Sequence, residues 1–151
     1  MLSLKHLSMV LTTFVFSLVA LIGCGAQNEI EVNGKKVESV KLEGKVVISA
    51  SISKVGENMS DIKEPHGEYT QENTDVLRTF VDAINRAEKL AGIVDVATPH
   101  YQFTLTFENK TSAQYFLWLG DDHGSLMHAE DTHYLYTLPE DLLKDLDEYV
   151  Q

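Results

Sequence analysis

Residues 121–133 read Asp-Asp-His-Gly-Ser-Leu-Met-His-Ala-Glu-Asp-Thr-His, which sets His123, His128 and His133 among Asp121, Asp122, Glu130 and Asp131. Imidazole and carboxylate together are the ligands of a transition-metal site, Zn²⁺ foremost. A two-residue turn at Glu130-Asp131 would set His128 against His133 across a hairpin, close enough on one sheet face to share an ion. Asp131 would be a further ligand, with Asp121 or His123 as another. Two points stand against this geometry. Glu-Asp fits poorly in the positive-φ turns of two-residue hairpins, and one extra loop residue destroys the pairing. The plain alternative is a polar hairpin on a solvated face. The adjoining Leu-Gly-Asp-Asp-His-Gly lacks the spacing of a calcium loop.

The one cysteine offers different chemistry. Lys5 and His6 form a short polar start, and an uncharged run, LSMVLTTFVFSLVALI, leads to Leu21-Ile22-Gly23-Cys24. The run is shorter than the roughly 20 residues of a spanning helix and reads as a secretory signal. Its exit resembles the bacterial lipobox, Leu-x-[Gly/Ala/Ser]-Cys. At such a site the thiol receives a diacylglyceryl group and the leader is cut between Gly23 and Cys24. Two acyl chains suffice for stable anchoring where one does not. The lipid on Cys24 is then the only attached group expected, and thiol catalysis and disulfide pairing both lapse.

Charge agrees with an anchor of this kind. The chain carries 12 Lys and Arg against 23 Asp and Glu, and its first 23 residues hold one Lys and no acid. So acidic a remainder repels nucleic acid and anionic lipid alike, so membrane association must come from the lipid.

The elements that would position these residues follow from periodicity. After a polar stretch at 24–44, either a tether or a small hairpin around an Asn-Gly, the domain is expected from 45 to 151. VVISASIS alternates as a strand, with Val46, Ile48, Ala50 and Ile52 on one face. Residues 56–73 read as a long loop. From Asp75 to Ala91 a helical stripe runs through Leu77, Phe80, Val81, Ile84, Ala87 and Ala91, capped by Asn73 or Thr74 and ended by Gly92. Tyr101–Glu108 alternates strictly, SAQYFLWLG is apolar on both faces, and SLMHA and HYLYTL are two further strands. Thr137-Leu-Pro-Glu140 has the form of a capping box before a last helix burying Leu142, Leu143, Leu146, Tyr149 and Val150. The expected fold is α+β: an antiparallel sheet of about five strands in the order β-α-β-β-β-β-α, with both helices on one face.

The runs LRTFVDAINRAEKLAG, AGIVDVATPHYQFTLTF, SAQYFLWLG and LMHAEDTHYLYTLPEDLLKDL resemble the YhfM-like domain of small Bacillus-type lipoproteins, across roughly residues 45–150. The most distinctive part is YFLWLG followed by the THYLYTLPE strand-to-helix join. The resemblance implies an extracytoplasmic lipoprotein on the outer face of a single cell membrane, and it brings no catalytic residues with it. No G-x-S-x-G, H-E-x-x-H or phosphate-cradling glycine loop occurs. The expected function is therefore a non-enzymatic binding or interaction domain held at the membrane. Its partner is an envelope protein, and Trp118, Tyr134 and Tyr136 are candidates for its surface, with packing in the core as their alternative. A metal module at His128 and His133, and an inhibitor or accessory subunit of an envelope enzyme, are the competing readings.

Overall fold

The computed structural model describes residues 29–32, 34–92 and 95–151. Cys24, the 1–23 leader and the start of the tether lie outside the described residues. The elements are β1 (Glu29–Val32), β2 (Lys35–Glu38), β3 (Lys41–Leu42), β4 (Lys45–Val55), β5 (Ile62–Thr70) and α1 (Thr74–Arg86). They continue with β6 (Glu88–Lys89), β7 (Tyr101–Phe107), β8 (Ser112–Leu119), β9 (Gly124–His128), β10 (Asp131–Thr137) and α2 (Glu140–Val150). β1 and β2 form a hairpin of their own. The rest make one curled antiparallel sheet in the order β3-β4-β7-β8-β9-β10-β6, with β5 sharing an edge of β4 with β3.

The α+β class and the antiparallel pairing match the sequence pattern; the strand count of about five does not. β5 is the largest addition. Its sequence, IKEPHGEYT, is polar because the strand lies at an edge with most of its side chains exposed. Gly67 gives close approach to Ile52, and Tyr69 turns inward. β3 was also unexpected. It turns into β4 through Glu43 and Gly44, both at positive φ, 50° and 78°, as a two-residue hairpin of the primed type demands. Val40 and Leu42 are buried in the main core, so the folded unit begins before residue 45.

Both helices bury their stripes against the same sheet face. Leu77, Phe80, Val81 and Ala83 of α1 and Leu142, Leu143, Leu146 and Val150 of α2 join Ala50, Ile52, Phe103, Leu105, Phe107 and Leu117 in one core. In β4 the register shifts between Val47 and Ser49, which turns Val47 to the core in place of Val46 and leaves Ile48 half-buried. α1 stops at Arg86, five residues short of the periodic stripe. Ala87 is extended, and Glu88 and Lys89 pair with Thr137 and Tyr136, so strand pairing takes over from a weak Ala-Ala continuation. Asn73 precedes α1, but its side chain accepts from the Thr70 N–H at 3.1 Å. The Thr137 box does not form either; Pro139 holds the N-cap of α2 without a side-chain bond.

α2 is tied down at both ends. At its start the Cβ of any side chain at Gly124 would fall 2.6 Å from Leu143 Cδ2 and 2.9 Å from Leu138 Cδ1, so a side chain there would displace both leucines. At its end the carbonyls that lack helical partners accept from β5: Tyr69 Oη–H to Tyr149 O and His66 Nε2–H to Val150 O, each at 2.8 Å. Arg86 forks onto Asp141 at 2.6 and 2.9 Å between the helices and holds that carboxyl below its usual range, although the pair is exposed and so contributes little.

The opposite face of the sheet carries a smaller cluster. Phe116, Met127 and Leu135 are buried there, with Trp118, Val96 and Met59 packed around them. Residues 95–99 cross this face as a strap, held where Trp118 Nε1–H donates to Ala97 O at 2.8 Å.

Gly124→Ala is expected to lower stability by about 1–3 kcal/mol through overpacking under Leu143, seen as a lower midpoint of urea unfolding at unchanged slope. Tyr69→Phe is expected to lower it by about 1 kcal/mol by leaving the Tyr149 carbonyl without its donor. An unchanged midpoint in both variants would contradict this seating of α2.

Candidate functional site

β9 and β10 are joined through Ala129 and Glu130, so His128 lies opposite Asp131. The expected turn at Glu130-Asp131 is thus displaced by one residue, and the opposed pair His128–His133 does not exist. His133 instead turns back on its own strand: its N–H and Nδ1 both meet Asp131 Oδ1, at 3.3 and 3.1 Å, with the ring exposed. Asp121 and His123 belong to the turn at the other end of β9, which Gly120 N–H closes onto His123 O at 2.8 Å. Five strand steps separate His123 from His128, roughly 17 Å. Among the described residues no three His, Cys, Asp or Glu side chains converge on a point that would hold a metal ion.

What His128 does join is a groove. The register shifts between Asp131 and Tyr136, after which Tyr136 lies opposite Leu126 and Thr137 opposite Ser125. Continued from His128–Asp131 without the shift, the strand would place Leu135 toward the helices. The irregularity reverses the faces: Leu135 enters the far cluster and Tyr136 the helix side. There, beside the C-terminal end of α1, a cavity of about 210 Å³ is lined by Ile84, Tyr115, Leu126, His128 and Tyr136.

The wall of this groove is an aromatic row. Phe80 meets Phe103 at 4.8 Å between centroids, Phe103 stacks on Tyr115 at 5.2 Å and 18°, and Tyr115 meets His128 at 4.9 Å and 78°. Burial, and secondarily the charge of Glu43, push the Tyr115 phenol up to about 12. His128 Nδ1 accepts the Glu130 N–H at 3.1 Å, which leaves the ring proton on Nε2. Neither the Tyr115 nor the Tyr136 hydroxyl has a hydrogen-bond partner among the described residues.

The aromatic residues proposed as a surface do not share one. Trp118 lies on the far face and is half-buried beneath the strap, whereas Tyr136 faces the groove. Tyr134 is exposed, and its ring carries the Lys89 Nζ at 3.1 Å from the centroid. The helical stripe marks Ile84 as an ordinary core position. Only the shifted register of β10 shows that it borders an opening. A wider recess of about 700 Å³ lies between the β8–β9 turn and α2, rimmed by Asp121, Asp122, Glu140 and Asp147 with Lys144 among them. It is a solvated acidic surface.

A small α+β domain with an aromatic side groove is the class that fold and site define. The chain belongs to the YhfM family: the model of that family, described as YhfM protein, matches residues 51–151. The match covers α1, α2 and every strand that lines the groove. Searches of curated proteins and of solved structures found no match.

The raised Tyr115 phenol gives a signed expectation. A tyrosine protonated longer in the folded state than in the unfolded one adds stability below the unfolded pKa, and that stability is lost as pH rises from about 10 toward about 12. Ultraviolet titration of phenolate formation should show a late component near the upper end of this window that Tyr115→Phe removes. A wild-type curve complete by about pH 11 would contradict a buried Tyr115.

Proposed function

We propose that this protein is a lipid-anchored, extracytoplasmic binding module with no catalytic step of its own, held by a diacylglyceryl group on Cys24, and that the groove between α1, β8, β9 and β10 is its ligand surface. The anchor rests on Leu21-Ile22-Gly23-Cys24 at the end of an uncharged run. None of the helices among the described residues is long and apolar enough to cross a membrane.

The observation that carries the binding reading is the groove itself. Apolar walls with a few polar groups turned inward are the composition of a ligand site. Here Ile84 and Leu126 supply the walls, while two tyrosine hydroxyls without partners among the described residues and the His128 imidazole supply the polar groups. Catalysis asks for more than this. A general base needs an orienting group and a nucleophile in reach, and His128 Nδ1 is engaged by a backbone N–H.

Cell fractionation tests the anchor. Cys24→Ser is expected to move the protein into the medium or to leave an unprocessed precursor, while the wild type stays with the membrane. A processed Cys24→Ser protein retained in the membrane fraction would refute lipid attachment at this residue.

A further inference from the structure

We propose that the groove of Ile84, Tyr115, Leu126, His128 and Tyr136 binds a small organic cation, a quaternary or protonated alkylamine. This deepens the binding reading above and rests on it. Size comes first: about 210 Å³ is below the roughly 300–1,000 Å³ that drug-sized ligands occupy, which suits a small group.

Three of the five lining residues carry rings, and two of them, Tyr115 and His128, meet edge to face at 78°. Tyrosine rings attract an ammonium group placed over their faces, and Tyr115 and Tyr136 both border the groove. The tyrosine oxygens add acceptor lone pairs for an N–H donor.

Charge selects the same class. Among the described residues no Lys or Arg lines the groove, and the chain has a formal net charge of −11. An anion would have to enter against that field, and Glu43 already acts on Tyr115 with a negative charge. The fold also contains an internal precedent: the ammonium of Lys89, paired beside Tyr136 in β6, sits on the ring of Tyr134. The β10 edge thus already holds one cation by this interaction, outside the groove. A neutral ligand would gain from the apolar walls and nothing from the field; a cation gains from both.

The test uses the full chain in detergent and three probes of one shape: choline, neohexyl alcohol with carbon in place of nitrogen, and tert-butylacetate. Calorimetric titration is expected to show choline bound at least about tenfold more tightly than the alcohol, with no binding of the carboxylate. Tyr136→Leu is expected to weaken choline at least about tenfold and Tyr136→Phe less than about threefold, with circular dichroism confirming that both variants fold. Should Tyr136→Leu fail to fold, His128→Leu takes its place with the same expectation. Binding of the alcohol or the carboxylate as tight as that of choline overturns the cation and leaves the groove as a ligand site. Choline binding unaffected by both substitutions overturns the location. No heat from any probe to about 10 mM overturns the cation proposal and counts against the groove as a small-molecule site.

Discussion

Phe103 is fully buried between Phe80 of α1 and Tyr115 of β8, and the contact it makes on each side fixes how the helix layer meets the sheet. Tilted and offset ring pairs at these separations add attraction beyond the area they bury, and they tolerate little sliding. Through Phe103 the position of α1 is passed to Tyr115, and through Tyr115 to His128. One wall of the groove is therefore the outer end of the core. Its other residues depend on the same docking, because Ile84 reaches the opening only when α1 lies against β7 in this register. The high pKa of the Tyr115 phenol has the same origin, since the packing that orders the ring also withholds water from it.

Where each element has one strong periodicity and a clean break after it, the amino-acid sequence is readable. Tyr101–Phe107, the apolar-on-both-faces β8 and α2 all lie within a residue or two of where pattern places them. Legibility fails where tertiary contacts outvote local preference. Helical periodicity continues past Arg86, yet Glu88 and Lys89 are worth more to the fold as partners of β10. β5 has almost no apolar signal because an edge strand needs none: the hydrogen bonds of β4 hold it, and its charged side chains and Pro65 face water. Cap motifs at Asn73 and Thr137 named the right ends of both helices for the wrong bonds.

Those same edge features bear on how the domain lives beside its neighbours. An exposed strand edge is a template for unwanted pairing, and here Lys63, Glu64, Pro65, His66 and Glu68 cover most of one. The opposite edge is closed by a strand of two residues, after which the chain crosses the far face as the strap beneath which Trp118 is pinned. Among the described residues the groove combines apolar walls with tyrosine hydroxyls that have no hydrogen-bond partner.

The groove owes its existence to a counting error in β10. A hairpin begun at His128–Asp131 with a uniform ladder would turn Leu135 toward the helices and leave Tyr136 on the far side, since faces alternate strictly along a strand. Between Asp131 and Tyr136 the strand takes more residues than its partner, and the excess is odd, so every side chain beyond it changes face. Leu135 then completes the far cluster with Phe116 and Met127, and Tyr136 arrives beside His128. Bulges recur next to binding sites because they re-aim a side chain without moving the sheet. The stretch that sequence alone marks as a histidine site borders the groove for another reason. Its histidines do not meet; its irregular pairing brings a tyrosine to one of them.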